Sequence, residues 1–116
     1  ETLLFNVADE VTEASTSNVF VIKDGVVMTP LLNNQVLPGI TRLMLIDMLR
    51  KDGSIPIEEC VVTMSQVRDA DEIWLSSSTK EVVPVIALDG NPIGNGEVGP
   101  LWEIAHRLFI ERKFDY

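Results

Sequence analysis

Cysteine is nearly missing from this chain. Cys60 is the only one, so no internal disulfide can form, and a single thiol fits a reducing compartment, for which the cytoplasm is the expectation. Basic residues are scarce as well. Nine Lys and Arg against eighteen Asp and Glu leave a net charge of −9, which repels phosphate backbones and anionic lipid; neither nucleic acid nor a membrane is an expected partner. The longest apolar run, Val82 to Leu88, is broken by Pro84 and falls far short of the roughly 20 residues a membrane-spanning helix needs. His106 is the sole histidine and has no cysteine at ligand spacing, so the sequence supports neither zinc nor Cys-His catalysis, and no metal is expected. No Walker motif or dinucleotide fingerprint occurs, and Gly94-Asn95-Gly96 lacks the strand-to-helix setting such loops require. The sequence opens at Glu1 without an initiator Met, a basic n-region or an apolar h-region, which predicts no signal peptide and a missing upstream part.

What is present is the makings of one domain. The 116 residues, 46% hydrophobic and 23% charged, match an ordinary globular composition and suffice for one core but not two. Val19–Ile22 and Val26–Met28 flank Asp24-Gly25, whose residues tolerate the positive φ of a tight hairpin turn. Leu3 to Asn6 reads as a short strand, and Ala8 to Asn18 as a polar loop leading into the hairpin. Ile40, Leu43, Met44, Leu45, Met48 and Leu49 recur at helical spacing, giving a helix over 40–51 that Asp52-Gly53 stops. Pro56 to Thr63 reads as a strand, Met64 to Ala70 as a short helix or turn, and Ile73 to Leu75 as a strand capped by the hydroxyl-rich loop Ser76 to Thr79. Val82 to Leu88 is a further strand that Pro84 confines to an edge. Pro100 suits a first helical position, and Leu101, Ile104, Ala105 and Leu108 form the last helix's buried stripe. Hairpins dominate, so the class is α+β with a mixed or antiparallel sheet and helices at its side.

Three polar features fall at element ends: Glu13 with Ser15 to Asn18, Gly39 to Thr41, and Ser76 to Glu81. Gly39, Ile40 and Thr41 offer free backbone N–H groups and a hydroxyl at a helix N-terminus, a cradle for phosphate or carboxylate. Ser77 and Ser78 add uncharged donors. Local sequence leaves a plainer account open, in which Thr41 caps the helix and the serines satisfy a turn. Glu13 likewise reads equally as a solvated loop carboxylate. Trp74 and Trp102 read as core, and His106 as a surface residue.

Taken in order, Val11-Thr12-Glu13-Ala14-Ser15-Thr16-Ser17-Asn18-Val19-Phe20, Leu37-Pro38-Gly39-Ile40-Thr41-Arg42 and Ile73-Trp74-Leu75-Ser76-Ser77-Ser78-Thr79-Lys80-Glu81-Val82-Val83-Pro84-Val85 closely resemble the class IV aminotransferases, and the segment from Asp89 to Pro100 is similar too. The resemblance implies pyridoxal 5′-phosphate as cofactor and the C-terminal domain of a fold-type IV enzyme, a mixed or antiparallel sheet or pseudo-barrel with flanking helices. Residues 1–116 would be that single cofactor-binding domain, with the small N-terminal domain absent and homodimers usual for the family. By resemblance, Glu13 contacts the pyridine nitrogen and keeps it protonated, so that the ring draws electrons from the substrate Cα. Ile40, through its N–H, and Thr41 match the phosphate-binding helix start, and Ser78 matches a further phosphate contact. Leu37 matches the apolar residue against the ring, and Thr16 and Ser77 fall at hydroxyl positions near cofactor and substrate. The catalytic lysine lies upstream of residue 1 in this scheme, since Lys23, Lys51, Lys80 and Lys113 do not match it, so this piece alone is expected to be inactive.

The Ser76-to-Glu81 loop looks more like that of D-amino acid aminotransferases than the Gly-Thr-Ala loop of branched-chain aminotransferases. The expected reaction moves an amino group between an amino acid and a 2-keto acid. Branched-chain aminotransferase, aminodeoxychorismate lyase and a non-catalytic binding or assembly domain of the same fold are the alternatives.

Overall fold

The structure, a computed structural model, describes residues 3–5, 11–14, 17–31, 39–77 and 81–115, with backbone alone at 3–5, 11–14 and 115. Strands β1 (Leu3–Phe5) and β2 (Val11–Ala14) pair antiparallel, Leu4 opposite Glu13. The loop expected over 8–18 is therefore wrong for 11–14. Those four residues are too few to show an alternating pattern, and what makes them a strand is the partner β1, which local sequence does not reveal.

The hairpin forms as expected. β3 (Asn18–Lys23) and β4 (Val26–Pro30) are joined by Asp24 and Gly25 at φ 51° and 79°, the left-handed pair that a two-residue turn needs to match strand twist. The chain then forms α1 (Ile40–Asp52), β5 (Ile57–Cys60), α2 (Met64–Arg68), β6 (Glu72–Ser77) and β7 (Glu81–Val85). A small ladder of β8 (Ala87–Leu88) with β9 (Asn91–Pro92) follows, then α3 (Pro100–Arg112) and a 3-10 turn, Lys113–Asp115.

The main sheet has the order β5-β4-β3-β6-β7, antiparallel except for the parallel pair β4 and β5. It is the mixed sheet expected, and β7, carrying Pro84, is an edge strand as the proline requires. Three expectations shift. The strand expected over 82–88 ends at Val85, and Ala87–Leu88 turns away to pair with Asn91–Pro92 across the Asp89-Gly90 turn. The strand predicted over 56–63 is shorter, because Thr63 instead opens α2 with a reciprocal capping box to Gln66. Ser76 and Ser77, expected in a loop, continue β6. Asn18 and Val82 flank Ser76, and ladder bonds on both sides override serine's weak strand preference.

Side chains alternate across the central strands and build two cores. Phe20, Ile22, Val27, Trp74 and Val82 meet Leu45, Met48 and Leu49 of α1 and Ala105, Leu108 and Phe109 of α3. Val19, Val21, Ile73 and Leu75 on the other face meet Val62, Met64 and Val67 around α2. Trp74 is fully buried, as expected. Trp102 is half-buried and lies against His106 with ring centroids 4.6 Å apart, so His106 is more covered than a surface residue.

Glu72 fixes α3 onto the sheet. Its buried carboxylate accepts hydrogen bonds from the backbone N–H groups of Leu101 (3.2 Å) and Trp102 (2.9 Å) and from the Trp74 indole (3.1 Å). A negative group at this helix N-terminus also suits the macrodipole. Gly99 leaves room for it, since a Cβ there would run into the Glu72 side chain. We predict that Glu72→Ala, which leaves three donors without an acceptor, lowers stability by about 2–4 kcal/mol. Urea unfolding checks this, and a loss below about 0.5 kcal/mol would contradict the bracing role.

Candidate functional site

One end of the sheet collects the candidate residues, and strand register is the reason. β4 ends at Pro30 beside Cys60, the end of β5; β3 begins at Asn18 beside Ser76; β6 ends at Ser77 opposite Glu81, the start of β7. The N-terminus of α1 lies on this end. The Thr41 hydroxyl donates to the Ser77 carbonyl (3.2 Å) and the Arg42 guanidinium to the Pro30 carbonyl (2.7 Å). Gly39 lies so close to Asn18 that a Cβ would run into the carboxamide oxygen, so a larger residue here would push the Asn18 side chain aside.

The helix start has an anion site's character. Gly39 provides no side-chain cap, and no acidic residue stands in the first turn, so nothing within the helix answers its first N–H groups or its positive end. Ile40 is 75% exposed, so what that position offers is its backbone. Thr41 is buried, with its hydroxyl engaged to Ser77. Among the described residues, the buried Ser76 hydroxyl and the Arg42 Nε and Nη1 groups have no hydrogen-bond partner.

Of the residues singled out from sequence, Ile40, Thr41 and Ser77 stand together at this end. Glu13 lies in β2, which runs close to β3 and β4; its side chain is outside the described residues. Thr16, Leu37 and Ser78 are also outside them. Their described neighbours Ser17, Gly39 and Ser77 adjoin the same end. Lys23 pairs with Asp69 and Asp71, Lys51 with Asp47 and Lys113 with Glu81. Cys60 is half-buried at this end, and burial, helped by Glu58, pushes its thiol pKa up and away from thiolate chemistry.

Sequence reading passed over Arg42 and the pair Glu81–Lys113. For Arg42 a signal existed: it falls at helical spacing with Leu45, Ile46 and Leu49 on the face that proves buried. For Lys113 there was none, because its partner is remote in sequence. Glu81 closes the hydroxyl hairpin with φ 60°, and Lys113 Nζ holds its carboxylate at 3.0 Å.

An uncapped helix start, hydroxyls and a buried cation are gathered at one end of a mixed α+β sheet. Comparison with known proteins makes this specific. The family model for amino-transferase class IV matches residues 1–88. The chain is 43% identical over 103 residues to the D-alanine aminotransferase of Listeria monocytogenes, covering 89% of this chain and 35% of that protein. It thus spans about a third of the length of the curated relatives it matches. The branched-chain amino acid aminotransferase of Escherichia coli superposes with a TM-score of 0.88 at 32% identity, over 94% of this chain and 36% of that one. An aminotransferase from Brucella abortus bound to the cofactor PLP gives 0.86 at 35% identity, over 94% and 38%. The chain belongs to the class IV aminotransferase family.

We predict that Glu81→Val, which puts a β-branched residue at a left-handed φ and strips Lys113 of its partner, lowers stability by about 1–3 kcal/mol. Denaturant unfolding reads the loss, and Glu81→Asn, better suited to that φ, should recover part of it. Equal losses in the two variants would contradict the role of backbone strain.

Proposed function

We propose that the protein containing these residues is an aminotransferase that uses pyridoxal 5′-phosphate to move an amino group between an amino acid and a 2-keto acid. The observation that carries the reading is the meeting of the uncapped α1 N-terminus with the hydroxyl-bearing end of β6, through Thr41 and Ser77. The donor set suits a phosphate: backbone N–H groups, hydroxyls, no competing carboxylate in the first turn and an orphaned buried hydroxyl on Ser76.

In this reading the N–H groups of Ile40 and Thr41 hold the phosphate, with Ser77 and Ser78 adding hydroxyl donors. Leu37 packs against the ring and Thr16 lies beside it. Glu13 keeps a proton on the pyridine nitrogen, because a carboxylate at that atom favours its charged form. When bound, the cofactor supplies an electron sink that makes the substrate Cα acidic. The proton-shuttling lysine belongs to sequence outside these 116 residues, which makes them a cofactor-binding domain and not a catalyst by themselves. Homodimers and a cytoplasmic setting are part of the same proposal, supported by the family.

D-alanine is the proposed amino donor, supported by the 43% identity to the Listeria monocytogenes D-alanine aminotransferase. The likeness to the E. coli branched-chain enzyme supports L-leucine as the second reading. Incubating the full-length protein with 2-oxoglutarate and each donor decides between them: pyruvate from D-alanine is expected, and 4-methyl-2-oxopentanoate in its place would overturn the first reading.

Two variants separate the roles. Glu13→Gln is expected to lower kcat by at least about 100-fold with cofactor affinity within about threefold of the parent. Thr41→Ala, which removes the hydroxyl tie to the Ser77 carbonyl that sets the helix start, is expected to weaken cofactor retention by about tenfold. Unchanged turnover in the first, or an unchanged cofactor dissociation constant in the second, would remove that residue's assignment.

A further inference from the structure

Arg42 stands where a cation is least favoured on two counts. It belongs to the first turn of α1, where the helix already presents partial positive charge and no acidic residue offsets it. Its side chain is also completely buried, at 0% exposure. Among the described residues, only one nitrogen is satisfied. Nη2 donates to the Pro30 carbonyl at 2.7 Å and to Glu59 Oε1 at 3.2 Å, while Nε and Nη1 find no acceptor there.

The pairing is also unbalanced in charge. The second oxygen of Glu59 is taken by Arg50 Nη2 at 3.1 Å, so two guanidinium groups share one carboxylate and the cluster keeps one net positive charge. An ion pair retained for stability would be matched fork to fork, with its buried donors satisfied. This one leaves a desolvated cation underpaired in the same helical turn that presents its N–H groups at the sheet end.

We infer that Arg42 is a buried charge held for the phosphate that docks at the start of α1. Its field strengthens anion binding, and Glu59 moderates that field. The inference rests on the phosphate reading above. A dianion accepting from the Ile40 and Thr41 N–H groups meets the charge of the next residue through low-dielectric protein, where it is weakly screened. The unliganded protein bears the cost of an underpaired buried cation, and the anion relieves it.

The test uses the full-length protein without cofactor and inorganic phosphate as the probe, below the melting temperature of every variant. Arg42→Met is expected to raise the phosphate dissociation constant about tenfold and, because it also gives up the hydrogen bond to the Pro30 carbonyl, to lower the melting temperature of the unliganded protein. Glu59→Gln is expected to act oppositely on phosphate, tightening it about threefold while also lowering that melting temperature. A purely structural brace predicts the same losses of stability but no tightening of phosphate in Glu59→Gln, and that result would overturn the inference. If Arg42→Met does not fold, Glu59→Gln decides alone: tighter binding supports the charge role, and unchanged or weaker binding overturns it. Ile40→Pro, which removes one cradle N–H at a first helical position that tolerates proline, separates the two levels. Weaker phosphate binding in Ile40→Pro beside an unchanged constant in Arg42→Met refutes only the Arg42 role, whereas an unchanged constant in Ile40→Pro refutes the cradle itself.

Discussion

The N-terminus of α1 is tied to one end of the sheet at two points, and the site depends on those ties. Thr41 reaches the Ser77 carbonyl at the end of β6, and Arg42 reaches the Pro30 carbonyl at the end of β4. β3 lies between those strands, its first residue Asn18 filling the space a side chain on Gly39 would need. These contacts join the starts and ends of elements distant in sequence, so each element must keep its register for the helix start to meet the end of β6. A one-residue slip of β6 would move the Ser76 and Ser77 side chains each to the other face of the sheet.

Charge at the two long helices follows opposite designs. The α3 N-terminus is closed by the Glu72 carboxylate, so its N–H groups are spent on the fold. The α1 N-terminus has neither a capping side chain nor an acid in its first turn, and carries a buried arginine. Both helices start after a glycine, and a side chain closes on each, a carboxylate on Gly99 and a carboxamide on Gly39. A carboxylate completes the first helix end, whereas the second keeps its capacity for an anion. The acidity of the whole chain sharpens the contrast, since a net charge of −9 makes a locally positive helix start a specific feature and not part of a basic surface.

Much of this was legible in the sequence where local rules act. Asp24-Gly25 announced its hairpin, the spacing from Ile40 to Leu49 its helix, Pro84 its edge strand and Pro100 its helix start. What was not legible depends on partners far away. β2 exists because β1 lies beside it, and Ser76 and Ser77 are strand because Asn18 and Val82 flank Ser76. The grouping of Ile40, Thr41 and Ser77 was foreseen from motif order, not from periodicity. Arg42 and Lys113 were missed, one because a single charge on an apolar stripe reads as noise, the other because Glu81 is 32 residues away.

The central claim is that the start of α1 is the phosphate seat. A crystal structure of the full-length protein with pyridoxal 5′-phosphate tests it most directly. The account predicts phosphate oxygens within hydrogen-bond reach, about 2.7–3.2 Å, of the Ile40 and Thr41 nitrogens. A phosphate bound elsewhere, with those N–H groups turned to water, would contradict it.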